Sequence, residues 1–137
     1  MKQEYIANER KRIKNLFNRK KHTGFTDCKA LGSWFEKTIR NQDYKCYYCS
    51  TSIFDIQKLI KTKVIKERKI RYGCRGKNFE IDKINNDKGY TQNNCVLCCY
   101  YCNNDKSNTI DGVIYKEYFG DKRKDSFLKL IKEKVNP

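Results

Sequence analysis

Two pairs of cysteines carry the clearest chemical signal in the sequence. Cys46 and Cys49 form one CxxC pair, and Cys99 and Cys102 form another much later in the chain. Folding that brings two such pairs together supplies four thiolates in the tetrahedral arrangement that structural zinc prefers. In a small domain the metal then contributes folding free energy, because the unfolded chain has no preformed site. The sequence therefore predicts a structural zinc ion bound by these four side chains.

The run CVLCCYYC contains a competing CxxC pair, Cys95 and Cys98. Cys99 and Cys102 bracket the predicted junction of a strand and a helix, whereas Cys95 alternates with Leu97 along the strand itself. We therefore choose Cys99 and Cys102 as the pair that binds zinc together with Cys46 and Cys49. The cysteines outside this assignment are better explained as small buried side chains: Cys28, Cys74, Cys95 and Cys98.

Residues 79–107 also contain almost every residue type that metal-assisted cleavage of a phosphodiester needs. Asp82 supplies a carboxylate, Lys83 supplies a cation next to it, and Asn94 and Asn103 supply amides. Hard cations such as magnesium prefer carboxylate and carbonyl oxygens. Because each of these residue types is also common in loops, their significance rests on their joint spacing beside the second cysteine pair.

The same stretch contains the elements that must position these side chains. Apolar residues around Ile81 predict a strand that carries Asp82 on the face opposite Ile81. The polar run NNDKGY predicts a loop, and Val96 lies in a predicted second strand. After the second cysteine pair, NNDKSN is predicted to open a helix.

The flanking segments are predicted to support this core. The whole chain, residues 1–137, is predicted to form one domain. We expect basic N-terminal helices over 1–41, a zinc and ββα core over 45–110, and C-terminal helices over 111–137. Thr26 with Asp27 is a predicted helix cap, and Trp34 is a predicted core residue. The predicted fold class is α+β.

Residues 58–77 are strongly basic, with nine Lys and Arg residues against the single Glu67. The alternation of apolar residues there permits a short hairpin. As a charge run, this segment is either a solvated loop or an arm that contacts DNA. Residues 9–21 form a second candidate for contacts with the phosphate backbone.

Composition narrows the functional classes. The chain has 31 Lys and Arg residues against 16 Asp and Glu residues, a formal net charge of +15, which favours nucleic acid as the partner. The first residues, MKQEYIANERKRIK, lack the apolar region of a signal peptide, and no apolar run approaches the ~20 residues of a membrane span. We expect a protein of the reducing cytoplasm, where paired CxxC motifs indicate zinc rather than disulfides.

With these residues in place, the sequence resembles the HNH, or ββα-metal, endonuclease family. The family has an Asp-His pair on the first strand, an asparagine before the second strand, and a His or Asn directly after the last zinc cysteine. Asp82, Asn94 and Asn103 match these positions, and Lys106 matches a basic residue that commonly follows in the helix. Within the family, the likeness is greatest to small zinc-containing restriction enzymes and to phage HNH proteins with a DRIDN-like segment.

The resemblance implies a magnesium or manganese ion held by Asp82 and Asn103, in addition to the structural zinc. Asn94 is expected to brace the loop rather than touch the cation. Lys83 stands where the family has its general-base histidine. A lysine with an ordinary pKa of ~10.4 is a poor base, and its charge suits it better to gripping the scissile phosphate.

The base must therefore come from another part of the chain. The resemblance implies a tyrosine near the metal, and the first cysteine pair supplies Tyr48, with Tyr47 as the substitute. A phenol with an ordinary pKa of ~10 needs a neighbouring cation, and we expect Lys83 and the magnesium to provide it. His22, the only histidine, is a further candidate for the base or for orienting the phosphate.

The predicted function is a restriction-type endonuclease that cuts a palindromic site in double-stranded DNA as a homodimer. One ββα-metal site cuts one strand, so a double-strand break requires two sites. A phage or mobile-element HNH nuclease that nicks or homes as a monomer is the alternative. A third possibility is an inactive zinc-knuckle protein that binds DNA without cleaving it.

Overall fold

A computed structural model describes residues 1–19 and 24–137. Three helices and a hairpin precede the central core. They are α1 (Lys2–Arg19), α2 (Cys28–Asn41), α3 (Ile53–Lys61) and the antiparallel strands β1 (Arg68–Ile70) and β2 (Gly73–Arg75).

Helices α1 and α2 pack against each other. Asp27 caps α2, and its side chain accepts a hydrogen bond from the Ala30 backbone nitrogen at 2.7 Å. Trp34 is buried and lies 5.3 Å from the ring of Phe25, so its predicted place in the core is confirmed. None of the described helices combines the length and the apolar character needed to cross a membrane.

The central element is an antiparallel pair of strands followed by a short helix. Strand β3 (Glu80–Lys83) pairs with β4 (Cys95–Cys98), with Asp82 opposite Val96. Helix α4 (Tyr100–Lys106) follows directly, because the Cys99 side chain accepts a hydrogen bond from the Cys102 backbone nitrogen and caps the helix. The predicted strand, loop, strand and helix are confirmed, although α4 begins three residues before the NNDKSN run. The α+β fold class is likewise confirmed.

The C-terminal segment is helical almost throughout. It comprises α5 (Gly112–Tyr115), a π-helical turn (Lys116–Gly120), α6 (Asp121–Leu130) and a second π-helical turn (Ile131–Val135). Two glycines let this segment lie directly on the core, since a Cβ at Gly112 would lie 2.7 Å from the Ile84 carbonyl oxygen and one at Gly120 would lie 2.2 Å from the Tyr48 carbonyl oxygen. Both close approaches exclude any larger residue without a shift of the helix.

The hairpin of β1 and β2 confirms the hairpin that the alternating pattern permits. Its turn contains Arg71 and the exposed Tyr72, and all of β1 is exposed. The Tyr101 hydroxyl donates to the Lys66 carbonyl oxygen at 2.8 Å, which ties the base of the hairpin to α4. Cys74 is exposed on β2, so the prediction that it is buried is wrong: its side chain lies on the exposed part of a short two-stranded hairpin.

Candidate functional site

The four predicted zinc ligands come together in the core. The Sγ atoms of Cys46, Cys49, Cys99 and Cys102 all lie within 4.8 Å of one another, and all four residues are buried. The Cys99 backbone nitrogen donates to the Cys46 sulfur at 3.3 Å, as does the Cys102 nitrogen to the Cys99 sulfur at 3.4 Å. The competing residues Cys95 and Cys98 stay on β4 outside this group, so the cluster is the one chosen from the sequence.

The chemistry of the cluster fits a zinc ion. Contacts with the other three cysteines, Cys102 first, hold the pKa of Cys49 well below its usual range, whereas burial raises the pKa of Cys99. The buried Thr51 hydroxyl has no hydrogen-bond partner among the described residues, and it is a further, smaller cause of the lowered pKa of Cys49. Four buried sulfurs this close can all ionise only if a cation lies among them.

A second cluster surrounds the carboxylate of Asp82 on β3. The Tyr48 hydroxyl donates to Asp82 Oδ2 at 2.6 Å, and the Lys106 ammonium nitrogen lies 3.2 Å from the same oxygen. Asp82 is only 8% exposed and Lys106 is completely buried. Because both contacts fall on Oδ2, neither of them occupies Oδ1.

Lys106 is a central part of this site, although the sequence indicates only that it is basic. Its ammonium group also donates to Asn86 Oδ1 at 3.0 Å and to the Ser107 carbonyl oxygen at 3.2 Å. Asn86 and Ser107 accept its hydrogen bonds and Asp82 supplies the opposing charge, which together offset the otherwise costly desolvation of a buried ammonium group. Its position three residues after Asn103 on a helix was the available signal, since that spacing puts both side chains on one face.

Asn103 lies one turn before Lys106 on α4 and contacts the neighbouring acidic residue of β3. Its Nδ2 donates to Glu80 Oε1 at 2.8 Å. Glu80 and Asp82 are two residues apart on the strand and therefore share a face. The strand and helix thus present two adjacent pairs, Glu80 with Asn103 and Asp82 with Lys106.

Asn94 holds the loop between β3 and β4. Its Oδ1 accepts from the Asn85 backbone nitrogen, and its Nδ2 donates to the carbonyl oxygens of Asn85 and Gly89, each at 3.0 Å. The side chain is buried, and these three bonds use it fully within the loop. In this arrangement Asn94 fixes the backbone beside the site.

Lys83 faces this loop rather than the carboxylate. Its ammonium nitrogen lies 3.4 Å from the Asn86 carbonyl oxygen and 5.0 Å from the centre of the Tyr90 ring. The cation that the structure places beside the Tyr48 hydroxyl and Asp82 is therefore Lys106, whereas the sequence predicted Lys83 beside that phenol. Strand alternation explains the difference, since neighbouring residues of β3 point to opposite faces.

Tyr48 reaches Asp82 from the first cysteine pair. Its ring packs edge-on against Tyr115 at 5.3 Å, and a Cβ at Gly112 would lie 2.9 Å from its hydroxyl oxygen. Burial, followed by the hydrogen bond to Asp82, raises the pKa of Tyr48 well above its ordinary value. In this conformation the phenol is a proton donor.

Tyr47 makes no hydrogen bond to Asp82 among the described contacts: its ring lies edge-on to that of Tyr48 at 5.2 Å, and Lys116 lies 4.0 Å from its ring centre and donates to its carbonyl oxygen. The structure thus joins Tyr48 and Lys106 to Asp82, and Asn103 to Glu80 on the same strand. His22 lies outside the described residues.

Comparison with known proteins identifies the fold. No family profile and no curated protein sequence matches the chain. A solved structure of PacI, described as a rare-cutting HNH restriction endonuclease, is similar with a TM-score of 0.60 and 19% sequence identity. The similarity covers 85% of this chain and 74% of the PacI chain. The chain therefore has an HNH-like fold, in agreement with the resemblance seen in its sequence.

Proposed function

We propose that the chain is a metal-dependent endonuclease of the HNH type that hydrolyses phosphodiester bonds of double-stranded DNA. The observation that carries this proposal is the buried carboxylate of Asp82, contacted on one oxygen by Tyr48 and Lys106, with Asn103 bonded to Glu80 two residues earlier on the same strand. The HNH-like fold and the net charge of +15 support the same function.

The side chains of Asp82 and Asn103 would hold a magnesium or manganese ion through their oxygens, which are the ligands such cations prefer. When bound, the cation supplies positive charge next to the phosphate and the leaving 3′ oxygen. Asp82 has Oδ1 free of the two contacts described above, and it is anchored on Oδ2 by Tyr48 and Lys106. The four cysteines would hold zinc, which fixes the segment that carries Tyr48.

Tyr48 is our candidate for the group that receives a proton from the attacking water. To accept that proton the phenol must first release its own proton to solvent, and it does so only if positive charge offsets burial and the Asp82 carboxylate, which both favour the protonated form. Lys106 supplies such a charge on the same oxygen at 3.2 Å. Lys83, at the edge of the loop, remains a candidate for contact with the DNA phosphate.

Tyr48→Phe is expected to lower the cleavage rate by about 100-fold or more, the usual contribution of a positioned acid or base. Phenylalanine keeps the ring packing against Tyr115 and removes only the hydroxyl on Asp82. Single-turnover cleavage of plasmid DNA measures the effect, and Tyr47→Phe is the matched control. If Tyr48→Phe cleaves normally and His22→Ala does not, the assignment of the base is wrong.

The hairpin of β1 and β2 is our candidate for a DNA-contacting surface, together with the basic face of α1. Lys69, Arg71 and Tyr72 are exposed on the hairpin, with Arg71 lying 5.2 Å from the centre of the Tyr72 ring. A two-stranded ribbon fits the major groove of DNA. Charge and shape therefore both favour this partner.

Replacing Lys69 and Arg71 together with glutamine is expected to reduce the steepness of the salt dependence of DNA binding. If each residue contacts one phosphate, the slope of log affinity against log salt concentration falls by about 2. Fluorescence anisotropy over a salt series measures this slope. The control is Lys132→Gln with Lys134→Gln, exposed near the C-terminus. An equal fall in the control would mean that net charge alone, and not the hairpin, sets the affinity.

We further propose that the enzyme acts as a homodimer within a restriction system of the cytoplasm and cuts a palindromic site. Two copies are needed because one site cuts one strand. Solution sizing and digestion of supercoiled plasmid distinguish the alternatives. A dimer that yields linear DNA with discrete ends supports the proposal, a monomer that only relaxes the plasmid indicates a nicking nuclease, and magnesium-independent binding without cleavage indicates an inactive DNA-binding protein.

A further inference from the structure

Glu80 is a carboxylate of β3 that the proposed chemistry does not use directly. It accepts a hydrogen bond from Asn103 Nδ2 at 2.8 Å, and its side chain is 17% exposed. Arg75 of the hairpin donates two hydrogen bonds to the same carboxylate, from Nε to Oε2 at 2.8 Å and from Nη2 to Oε1 at 2.6 Å. Glu80 therefore joins the hairpin to the residue that we propose as a cation ligand.

This contact fixes which end of the Asn103 amide faces the site. An ionised carboxylate can only accept hydrogen bonds, so the atom of Asn103 that faces Glu80 must be the NH₂ group. The carbonyl oxygen, Oδ1, is then directed away from Glu80. Without this partner the amide could rotate and present its NH₂ group, which cannot ligate a cation.

Arg75 holds the Glu80 side chain in place. Its guanidinium group pairs with both carboxylate oxygens and also lies 4.8 Å from the centre of the Tyr100 ring. The hydrogen bond and the charge of Glu80 raise the pKa of Arg75 above its ordinary value. A guanidinium that forms two bonds and packs on a ring holds the carboxylate in one orientation.

We propose that Glu80 is a positioning residue, which sets the amide of Asn103 so that its oxygen can ligate the catalytic cation. This inference rests on the proposed function, in which Asn103 and Asp82 hold that cation. Residues that orient metal ligands in this way commonly change metal affinity or activity by about 10- to 100-fold when they are removed. Glu80 acts through Asn103 and makes no contact with the reacting atoms.

Titration of the zinc-loaded protein with Mn²⁺ tests the proposal without relying on cleavage. Mn²⁺ binding is followed by calorimetry or electron paramagnetic resonance. The part of the binding signal that is lost in Asp82→Asn is assigned to the proposed site. Glu80→Ala is expected to weaken binding at this site by about 10- to 100-fold with unchanged zinc content. Glu80→Gln, whose carbonyl oxygen can still accept from Asn103 Nδ2, is expected to recover part of the affinity.

Glu36→Ala is the matched control, because Glu36 also accepts two hydrogen bonds from an arginine, Arg10, and is 22% exposed. It is expected to bind Mn²⁺ as the unaltered protein does. Equal Mn²⁺ affinity in Glu80→Ala and Glu36→Ala would overturn the proposal, and so would the absence of any site-specific Mn²⁺ binding in the unaltered protein. Weakened Mn²⁺ binding in Glu80→Ala, with no DNA cleavage by any form, would support the role of Glu80 and refute the nuclease function.

Discussion

Replacing Asp82 with asparagine is expected to lower the rate of DNA cleavage at least about a thousandfold, while DNA binding persists. A loss of this size corresponds to about 4 kcal/mol of transition-state stabilisation, within the range expected for a charge that holds a catalytic cation. The basic surfaces that would contact DNA are unchanged by this substitution. Plasmid cleavage with magnesium and anisotropy without it measure the two quantities separately.

Asparagine is preferable to alanine because of the buried lysine. Lys106 is completely buried against Asp82, and an uncompensated buried charge costs roughly 3–5 kcal/mol of stability. Asparagine keeps the shape of the side chain and one oxygen that can face Tyr48 and Lys106. Because asparagine still removes the charge opposite Lys106, circular dichroism must show that the variant is folded before a loss of activity is attributed to the metal site.

Asp105 offers a closely matched control on α4. Its Oδ2 accepts from the Tyr115 hydroxyl at 2.9 Å and from Arg123 at 3.2 Å, so it also pairs with one phenol and one cation. Asp105→Asn is expected to cleave DNA at nearly the normal rate. If Asp105→Asn and Asp82→Asn lose activity equally, the role assigned to Asp82 is wrong.

Replacing Cys99 and Cys102 together with serine is expected to release the zinc and unfold the protein. Structural zinc sites in small peptides contribute apparent binding free energies of about 10–16 kcal/mol, whereas the whole stability of a domain is about 5–15 kcal/mol. The hydroxyl of serine is a poor zinc ligand at neutral pH. Metal analysis and circular dichroism at 25 °C measure the two effects.

The control for this experiment is the double replacement of Cys95 and Cys98 with serine. These residues are buried on β4 outside the cluster of four sulfurs, so the variant is expected to keep its zinc at some cost in stability. Retention of zinc by the first variant and its loss from the second would show that the other CxxC pair binds the metal.

Local spacing explains why much of this arrangement can be predicted from the sequence. A CxxC pair forms one compact turn, so four such cysteines identify a site without knowledge of the intervening fold. Alternation around Ile81 and Val96 likewise identifies the two strands that carry and support Asp82. Both signals extend over a few residues and do not depend on distant contacts.

The contacts that complete the site depend on packing between distant segments, and the sequence does not reveal them. Tyr47 and Tyr48 are the same residue type, so the CYYC run itself does not distinguish them, and only the family resemblance favoured Tyr48. In the folded chain Gly112 packs closely against the Tyr48 hydroxyl, which contacts Asp82. The burial of Lys106 and the link from Arg75 to Glu80 also require the folded chain. Strand alternation could have indicated that Lys83 points away from Asp82, and so from the phenol that contacts Asp82.

The most direct test of the account is digestion of supercoiled plasmid by the zinc-loaded protein in the presence of magnesium, with sequencing of the product ends. Cleavage is expected at discrete positions, with 3′-hydroxyl ends and a dependence on the added cation, and it is expected to be lost in Asp82→Asn. An unaltered protein that binds the plasmid but never cleaves it with magnesium or manganese would contradict the account, and so would equal cleavage by Asp82→Asn.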